Sequence, residues 1–356
     1  MTIATQQEVR RPATLVDDDH EQVVVRQDKE TGLRFIVAVH STVLGPALGG
    51  MRLKRYPGGL REALDDVMGL ARTMTLKASA AGLDLGGGKS VMIDDGRPEQ
   101  REARLEIAAE VIESLGGAYI TAEDIGTSTS DMDHLARFSR FVTGRSRERG
   151  GRGDPSPITA ETVFQALGRG LEAATGSAEL DGRRIGVVGL GKVGYALAAR
   201  LAQAGARIVA CDLDGERSER FAAEEGGEIA PSTEAIMATE LDVLAPCAAG
   251  GMIDEALARS IDCALVVGAA NNPLTSPRVA RILAERGVLY VPDFLANCGG
   301  LIHVSLEWSG GGGEREVIER AMDRLDRALV TAEAEGSTPL EVAERQALER
   351  VEAARP

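Results

Sequence analysis

The sequence predicts an α/β protein of two domains, the second a doubly wound parallel sheet of Rossmann type, with C-terminal helices packing back on the rest. Three observations carry that reading. Past residue 158, apolar strand segments alternate regularly with helical patterns, the signature of a parallel sheet with crossover helices. Before it, Gly144–Pro157 (GRSRERGGRGDPSP) is charged and rich in Gly and Pro with almost nothing apolar, the composition of an interdomain connection. Finally, 44% of the 356 residues are hydrophobic while only 3% are aromatic, so the core must be built from Ala, Val, Leu and Ile. That composition suits helices packed on buried parallel strands.

The elements follow in order. Gln22–Arg26 and Arg34–His40 read as strands joined by the turn-like DKETG. Arg61–Ala81 reads as a helix, Leu83–Ile93 as a loop leading into a strand, and Arg101–Leu115 as a helix. Ala118–Thr121 is a short strand and Ser130–Phe138 a helix. Beyond the connection, helices at Ala160–Ala174 and Val193–Ala204 alternate with strands at Arg184–Val188 and Arg207–Cys211. Further strands are expected at Val243–Leu244, Ala264–Val267 and Val288–Val291. The tail from Glu314 to Ala354 reads as two charged amphipathic helices separated by Gly336–Pro339. The expected division is therefore 1–150 and 151–319, with 320–356 returning to the first domain.

Composition excludes several classes. A formal charge of −15 opposes binding to nucleic acid or an anionic membrane, which needs a basic face. No apolar stretch approaches the ~20 residues of a spanning helix, and MTIATQQEVRRPATLVDDDHEQ has no continuous apolar region, so it reads as a polar leader. Cys211, Cys247, Cys263 and Cys298 are widely spaced without a C-x-x-C pattern. That spacing points away from a metal site or disulfide framework and toward reduced thiols in a cytoplasmic protein.

Two motifs carry chemistry. Gly189-x-Gly191-x-x-Gly194 follows an apolar strand and opens a helix, with Lys192 and Val193 inside the turn. A helix N-terminus offers unpaired N–H groups and a positive dipole end to a pyrophosphate. The next strand ends at Asp212, eighteen residues past Gly194, where a carboxylate can accept from ribose hydroxyls and disfavours a 2′-phosphate. The expected cofactor is NAD. The second motif is TLKASAAGLDLGGGKSVMI, with Lys77 and Lys89 twelve residues apart and Gly86, Gly87 and Gly88 before the second lysine. Glycines let a backbone approach a ligand closely, and an ammonium drawn into a partly dry pocket deprotonates more easily. One lysine would then hold a carboxylate while the other acts as a base. The same run is also compatible with a tight turn and a solvated lysine. Other polar groups cluster where strands end: Glu123 and Asp124, Pro246 and Cys247, Asn271 and Asn272, and Asn297. In open parallel sheets ligands bind at the C-terminal strand ends.

Together these segments resemble the leucine, valine and phenylalanine dehydrogenases of the glutamate dehydrogenase superfamily. The matching stretches are STVLGPALGGMR, TMTLKASAAGLDLGGGKSV, YITAEDIGTSTSDMD, VTGRS, VVGLGKVG, LAPCAAGG, VVGAANN and VLYVPDFLANCGG, in family order from about residue 20 to residue 310. The resemblance implies that Lys77 pairs with the substrate α-carboxylate. It also implies that Lys89 is the base activating water against the imino carbon, and that Asp124 shuttles protons at the nitrogen. Asn271 and Asn297 would place substrate and nicotinamide, Thr159 would contact the nicotinamide side, Ala248 would line the cofactor site and Gly49 the substrate site. Such a lysine base must fall from about 10.4 toward about 7–8, which implies an alkaline optimum for deamination.

Glutamate enzymes of this superfamily place a lysine where this chain has Leu48 and a serine where it has Val304, so the implied side-chain pocket is apolar. An unpaired carboxylate buried there would cost several kcal/mol. Ala122 and the bulky Leu301 match a branched aliphatic substrate. GRSRERGG, GGGKSV and Ile302-His303 look more like the phenylalanine branch, which stays open as an alternative. A single methylene supplies only ~1–3 kcal/mol of discrimination. Met51 and Cys298 depart from the family's usual threonine and alanine. The expected activity is reversible NAD-dependent oxidative deamination of an apolar L-amino acid, Leu, Val or Ile favoured, to the 2-oxo acid and ammonia. The alternative outside that class is an NAD-binding relative with weakened catalysis. Family likeness further implies a homo-oligomer.

Overall fold

Valine-rich alternation makes Gln22–Gln27 (β1) and Arg34–Ser41 (β2) an antiparallel pair. Asp28 closes their turn by accepting from both the N–H and the hydroxyl of Thr31, each at 2.8 Å. This computed structural model describes residues 19–355; the first eighteen residues of the polar leader lie outside the described residues. There follow Ala47–Lys54 (β3), Gly59–Ala80 (α1), Gly86–Ile93 (β4), Arg101–Ser114 (α2), Tyr119–Glu123 (β5) and Thr129–Leu135 (α3). Among the described residues the first sheet has the order β1-β2-β4-β3-β5, with β3 parallel to β4 and β5.

Two local readings change. Gly86–Gly88 are not a loop but the first residues of β4. They allow close packing within the protein, because a Cβ at Gly87 would lie 2.0 Å from the Thr75 nitrogen in α1, and one at Gly88 would lie 2.6 Å from the Tyr119 ring. The second change is β3 itself, which has no sequence signal because Gly49 and Gly50 interrupt its apolar pattern. Strand alternation then sorts the faces. Ala47, Met51 and Tyr119 pack with α2-side residues such as Leu105 and Ile112. Val91 and Ile93 pack with Val67 and Ala71 of α1. Lys89, in register with Val91 and Ile93, thus points to the α1 side.

The second unit begins with Ser156–Thr175 (α4) and Arg184–Val188 (β6). It continues through Lys192–Gln203 (α5), Arg207–Cys211 (β7), Gly215–Glu225 (α6), Glu228–Ile229 (β8), Thr233–Met237 (α7) and Val243–Pro246 (β9). Glu255–Ala258 (α8), Leu265–Val266 (β10), Pro277–Glu285 (α9), Leu289–Tyr290 (β11), Asp293–Ala296 (α10) and Gly299–Ser309 (α11) complete it. The parallel order β11-β10-β9-β6-β7-β8 is a doubly wound sheet that reverses direction between β6 and β9. Its strands are continuous apolar runs because helices cover both faces.

The polar connection is tethered. Glu307 of α11, whose side chain is 2% exposed, accepts from Arg145 N (3.2 Å), Arg145 Nε (3.1 Å) and Arg152 N (3.0 Å). Nearby, Thr143 Oγ1 donates to the Val304 carbonyl at 2.9 Å. The tail forms Glu314–Glu335 (α12) and Pro339–Ala353 (α13). α12 packs along α4 and α11, whereas α13 reaches α1 in the first unit. There Ser79 Oγ donates to the Ala347 carbonyl at 2.7 Å, and Arg350 reaches the Leu83 carbonyl and the Asp84 carboxylate.

Candidate active site

Lys89 is withdrawn from water: it is 6% exposed, and its ammonium lies 2.6 Å from Asp124 Oδ2. β4 holds it at the sheet centre and the loop after β5 supplies the carboxylate. The same oxygen accepts from Arg52 Nε of β3 at 3.3 Å, and Arg52 also pairs with Asp66 of α1 at 3.1 Å. Burial pushes the Asp124 carboxyl up, but the Lys89 and Arg52 cations outweigh it and hold the group below the ordinary carboxylate range.

Lys77, near the end of α1, crosses toward the second unit. Its Nζ donates to Asn271 Oδ1 at 3.4 Å. Asn297 Nδ2 donates to the same oxygen at 3.0 Å and to the Ala269 carbonyl at 3.1 Å. Loss of water lowers the Lys77 pKa from its ordinary value. Asp293, Cys298 and Asp124 oppose that shift and Lys89 adds to it. Lys77, Asn271 and Asn297 thus form one hydrogen-bonded chain between the two units, close enough to Lys89 and Asp124 for their charges to act on Lys77.

The glycine turn divides its work among three positions. Gly189 has φ +101, and a Cβ on it would be 2.9 Å from Ala248. A Cβ on Gly194 would be 2.0 Å from the Gly189 carbonyl oxygen. Gly191 is different, with no atom within 4 Å of that position, at the N-terminus of the twelve-residue α5. Room has been left there for a ligand. A cavity of about 450 Å³ runs past Gly189, Gly191, Asp212, Arg217, Thr233 and Ala248. Asp212 is fixed at its edge by N–H groups of Leu190 (2.6 Å) and Asp214 (2.9 Å). Lys192 points elsewhere, its ammonium on exposed Asp154 at 3.2 Å, and Val193 packs into the core. Among the described residues the buried Asn297 Oδ1 has no hydrogen-bond partner. Space at Gly191 and an orphaned acceptor at Asn297 together fit a dinucleotide, which Gly189–Gly194 and Asp212 would hold and to which Asn297 would offer an acceptor.

The comparisons agree with this geometry. Residues 20–140 match the profile described as Glu/Leu/Phe/Val dehydrogenase, dimerisation domain, and residues 214–355 match Glutamate/Leucine/Phenylalanine/Valine dehydrogenase. The chain belongs to the Glu/Leu/Phe/Val dehydrogenase family. It is 40% identical to the leucine dehydrogenase of Thermoactinomyces intermedius, covering 94% of this chain and 91% of that one. It is 42% identical to the valine dehydrogenase of Streptomyces virginiae, covering 94% and 95%. The crystal structure of L-tryptophan dehydrogenase from Nostoc punctiforme superposes with a TM-score of 0.81 at 31% identity, covering 94% and 97%. Residues 162–249 also match the NAD binding domain of D-isomer specific 2-hydroxyacid dehydrogenases. The protein is thus an amino-acid dehydrogenase, and its cofactor is NAD.

Within this family member, Leu48 of β3, Ala122 of β5 and Leu301 and Val304 of α11 are all buried in one apolar cluster. Gly49 contributes no open surface: a Cβ there would be 1.8 Å from the Gly88 carbonyl oxygen, and the Gly49 carbonyl accepts from the Tyr119 hydroxyl at 2.6 Å. Thr159 lies in the first turn of α4 beside Gly300, its hydroxyl donating to the Pro155 carbonyl at 3.0 Å. His303 is buried with Nδ1 3.2 Å from Glu314, away from the lysines' hydrogen-bond network. Three working residues carried no sequence signal. Arg52 and Glu307 look like ordinary surface charges, and Asp293 like a helix N-terminal acid, because their partners are remote in sequence. Among the described residues no cluster of His, Cys, Asp or Glu is placed to hold a metal, and no helix is long and apolar enough to cross a membrane.

Proposed function

We propose that the chain carries out reversible oxidative deamination of a branched aliphatic L-amino acid, yielding the 2-oxo acid and ammonia. The observation that carries the reading is the buried Lys89–Asp124 pair, 2.6 Å apart, together with Lys77 on Asn271 and with Leu48, Ala122, Leu301 and Val304 all buried in the apolar core. Lys77 holds the α-carboxylate, and Asn271 fixes that ammonium from the opposite wall. A dinucleotide held at Gly189, Gly191 and Asp212 would supply the hydride acceptor for the substrate α-carbon. Lys89, after handing its own proton to Asp124, takes the proton from water as it adds to the resulting imino carbon. Asp124 passes protons to and from the nitrogen, and its contact with Lys89 is the path between the two groups. Exclusion of water by the cleft strengthens each of these interactions.

Leu48 and Val304 carry no charge that could balance a second carboxylate, which supports exclusion of glutamate. Leu48, Ala122, Leu301 and Val304 are small to medium-sized and aliphatic, which supports Leu, Val and Ile over aromatic substrates. Division into residues 1–150 and 151–319, with the C-terminal segment returning, a homo-oligomeric assembly and a cytoplasmic location belong to the same proposal. The test is kcat/KM for Leu, Val, Ile, Phe, Trp and Glu with NAD⁺ and NADP⁺. The reading expects the aliphatic trio with NAD⁺ to lead; a preference for Phe or Trp would replace the aliphatic assignment with the aromatic one.

A further inference from the structure

Asp293 stands at the start of α10, is 8% exposed, and both of its carboxylate oxygens are engaged. Oδ2 accepts from the Asn272 N–H at 2.8 Å, and Oδ1 accepts from the Tyr290 hydroxyl at 3.0 Å. Asn272 has φ +48, and among the described residues no other non-glycine has positive φ. Such a backbone persists only when its surroundings impose it. The residue before it is Asn271, whose side chain receives both Lys77 and Asn297. Asp293 thus fastens the turn that presents Asn271.

Holding a turn does not require a charge. A neutral Asn or Ser would accept from the Asn272 N–H without the large penalty of burying a carboxylate. What calls for a charge is Lys77, linked to Asp293 through Asn271 and the Asn272 N–H, whose ammonium form Asp293 favours more than any other nearby acid. We propose that Asp293 is a positioning residue of the active site, acting through Lys77 and through the Asn271–Asn272 turn. It keeps Lys77 an ammonium ready for the α-carboxylate, and it fixes the opposite wall of the same subsite. The inference rests on the reading of Lys77 as the carboxylate's partner.

The electrostatic surroundings are defined. Lys77 is faced by Asp293 from α10, by Cys298 at the start of α11, by Lys89 of β4 and by Asp124 after β5. Behind Asp293 stand Tyr290 of β11 and Glu344 of α13, whose carboxyl is pushed up by burial and by Asp293 itself. Burial pushes the Asp293 carboxyl itself up, against the Asn272 N–H and the Lys77 ammonium that favour its charged form; with that charge removed, the Lys77 ammonium loses its proton at lower pH.

The test compares Asp293→Asn, Asp293→Ala and Lys77→Met in the full-length enzyme. The measurements are KM and kcat across pH, NAD⁺ affinity by fluorescence, and thermal unfolding. In Asp293→Asn the amide keeps the turn but loses the charge. It should raise KM for the amino acid about tenfold and move the alkaline limb of kcat/KM to lower pH, the direction set by losing the negative charge that favours the ammonium. NAD⁺ affinity and melting temperature should hardly change. Asp293→Ala, which also frees the turn, should lower kcat in addition. An unmoved limb and KM in Asp293→Asn, with Lys77→Met raising KM, would overturn this inference alone. Unchanged KM in Lys77→Met would overturn the reading of Lys77 and this inference with it.

Discussion

Replacing Asp124 with asparagine separates what its carboxylate does for the fold from what it does for the reaction. The substitution keeps the shape but leaves the Lys89 side chain, 8% exposed, without the oxygen anion 2.6 Å away. Breaking a buried ion pair by removing one partner destabilises by about 3–5 kcal/mol. The lower end applies, since Arg52 retains Asp66 at 3.1 Å. Set against an unfolding entropy of about 2.1 cal/mol/K per residue over the 356 residues, about 3 kcal/mol gives a drop in melting temperature of about 4 °C. Turnover should fall by about 10²- to 10⁴-fold, the usual contribution of a positioned acid–base group. Calorimetry and the absorbance of reduced nicotinamide measure the two effects on one preparation. The pH dependence adds a signed check. The native carboxyl titrates below its unfolded value, so its contribution to stability is complete above the ordinary carboxylate range, about pH 4. That contribution disappears as pH falls through the lower native value. Asp124→Asn should lose that part of the acid sensitivity. Turnover within about fivefold of the parent, alongside the expected loss of stability, would refute a role for Asp124 in proton transfer.

Gly191→Ala should melt like the parent yet bind NAD⁺ at least tenfold more weakly, because the new methyl meets no protein atom but occupies the ligand's space; dye-monitored melting and fluorescence titration decide it. Gly194→Ala should instead lose stability, its methyl lying 2.0 Å from the Gly189 carbonyl. Gly87→Ala drives a methyl against the Thr75 backbone and should destabilise by about 3 kcal/mol or more in denaturant titration, at the upper end for overpacking or beyond. Glu307→Gln leaves Arg145 without its buried carboxylate, so proteolysis within residues 145–152 should accelerate at unchanged NAD⁺ affinity.

The second unit was legible because its rules are local. A strand, three glycines, a helix start and an acid at the next strand end all fall within Arg184–Asp212, and neighbouring residues satisfy each constraint. The first unit was less legible. Glycines in β3 and β4 read as loop-formers, yet their meaning lies in a helix and a ring brought close only by tertiary packing. Lys77, Lys89 and Asp124 were visible through resemblance, but the buried pair was not, since residue spacing gives no distance between β4 and the loop after β5. Arg52 meets Asp124 across 72 positions and Arg145 meets Glu307 across 162, separations at which a single sequence carries no pairing signal.

The clasp of α13 on α1 bears on how the polypeptide matures during synthesis. Ser79 lies fully buried under the Ala347 carbonyl, so a seam in the first unit stays unsealed until α13 has been made. Lobes that emerge early usually fold as they leave the ribosome. Here the earlier lobe must wait, its helix α1 uncovered, while the whole dinucleotide lobe is made. A stop codon just before α13 would therefore leave a nascent product that chaperones recognise, although every group proposed for the chemistry had already been translated.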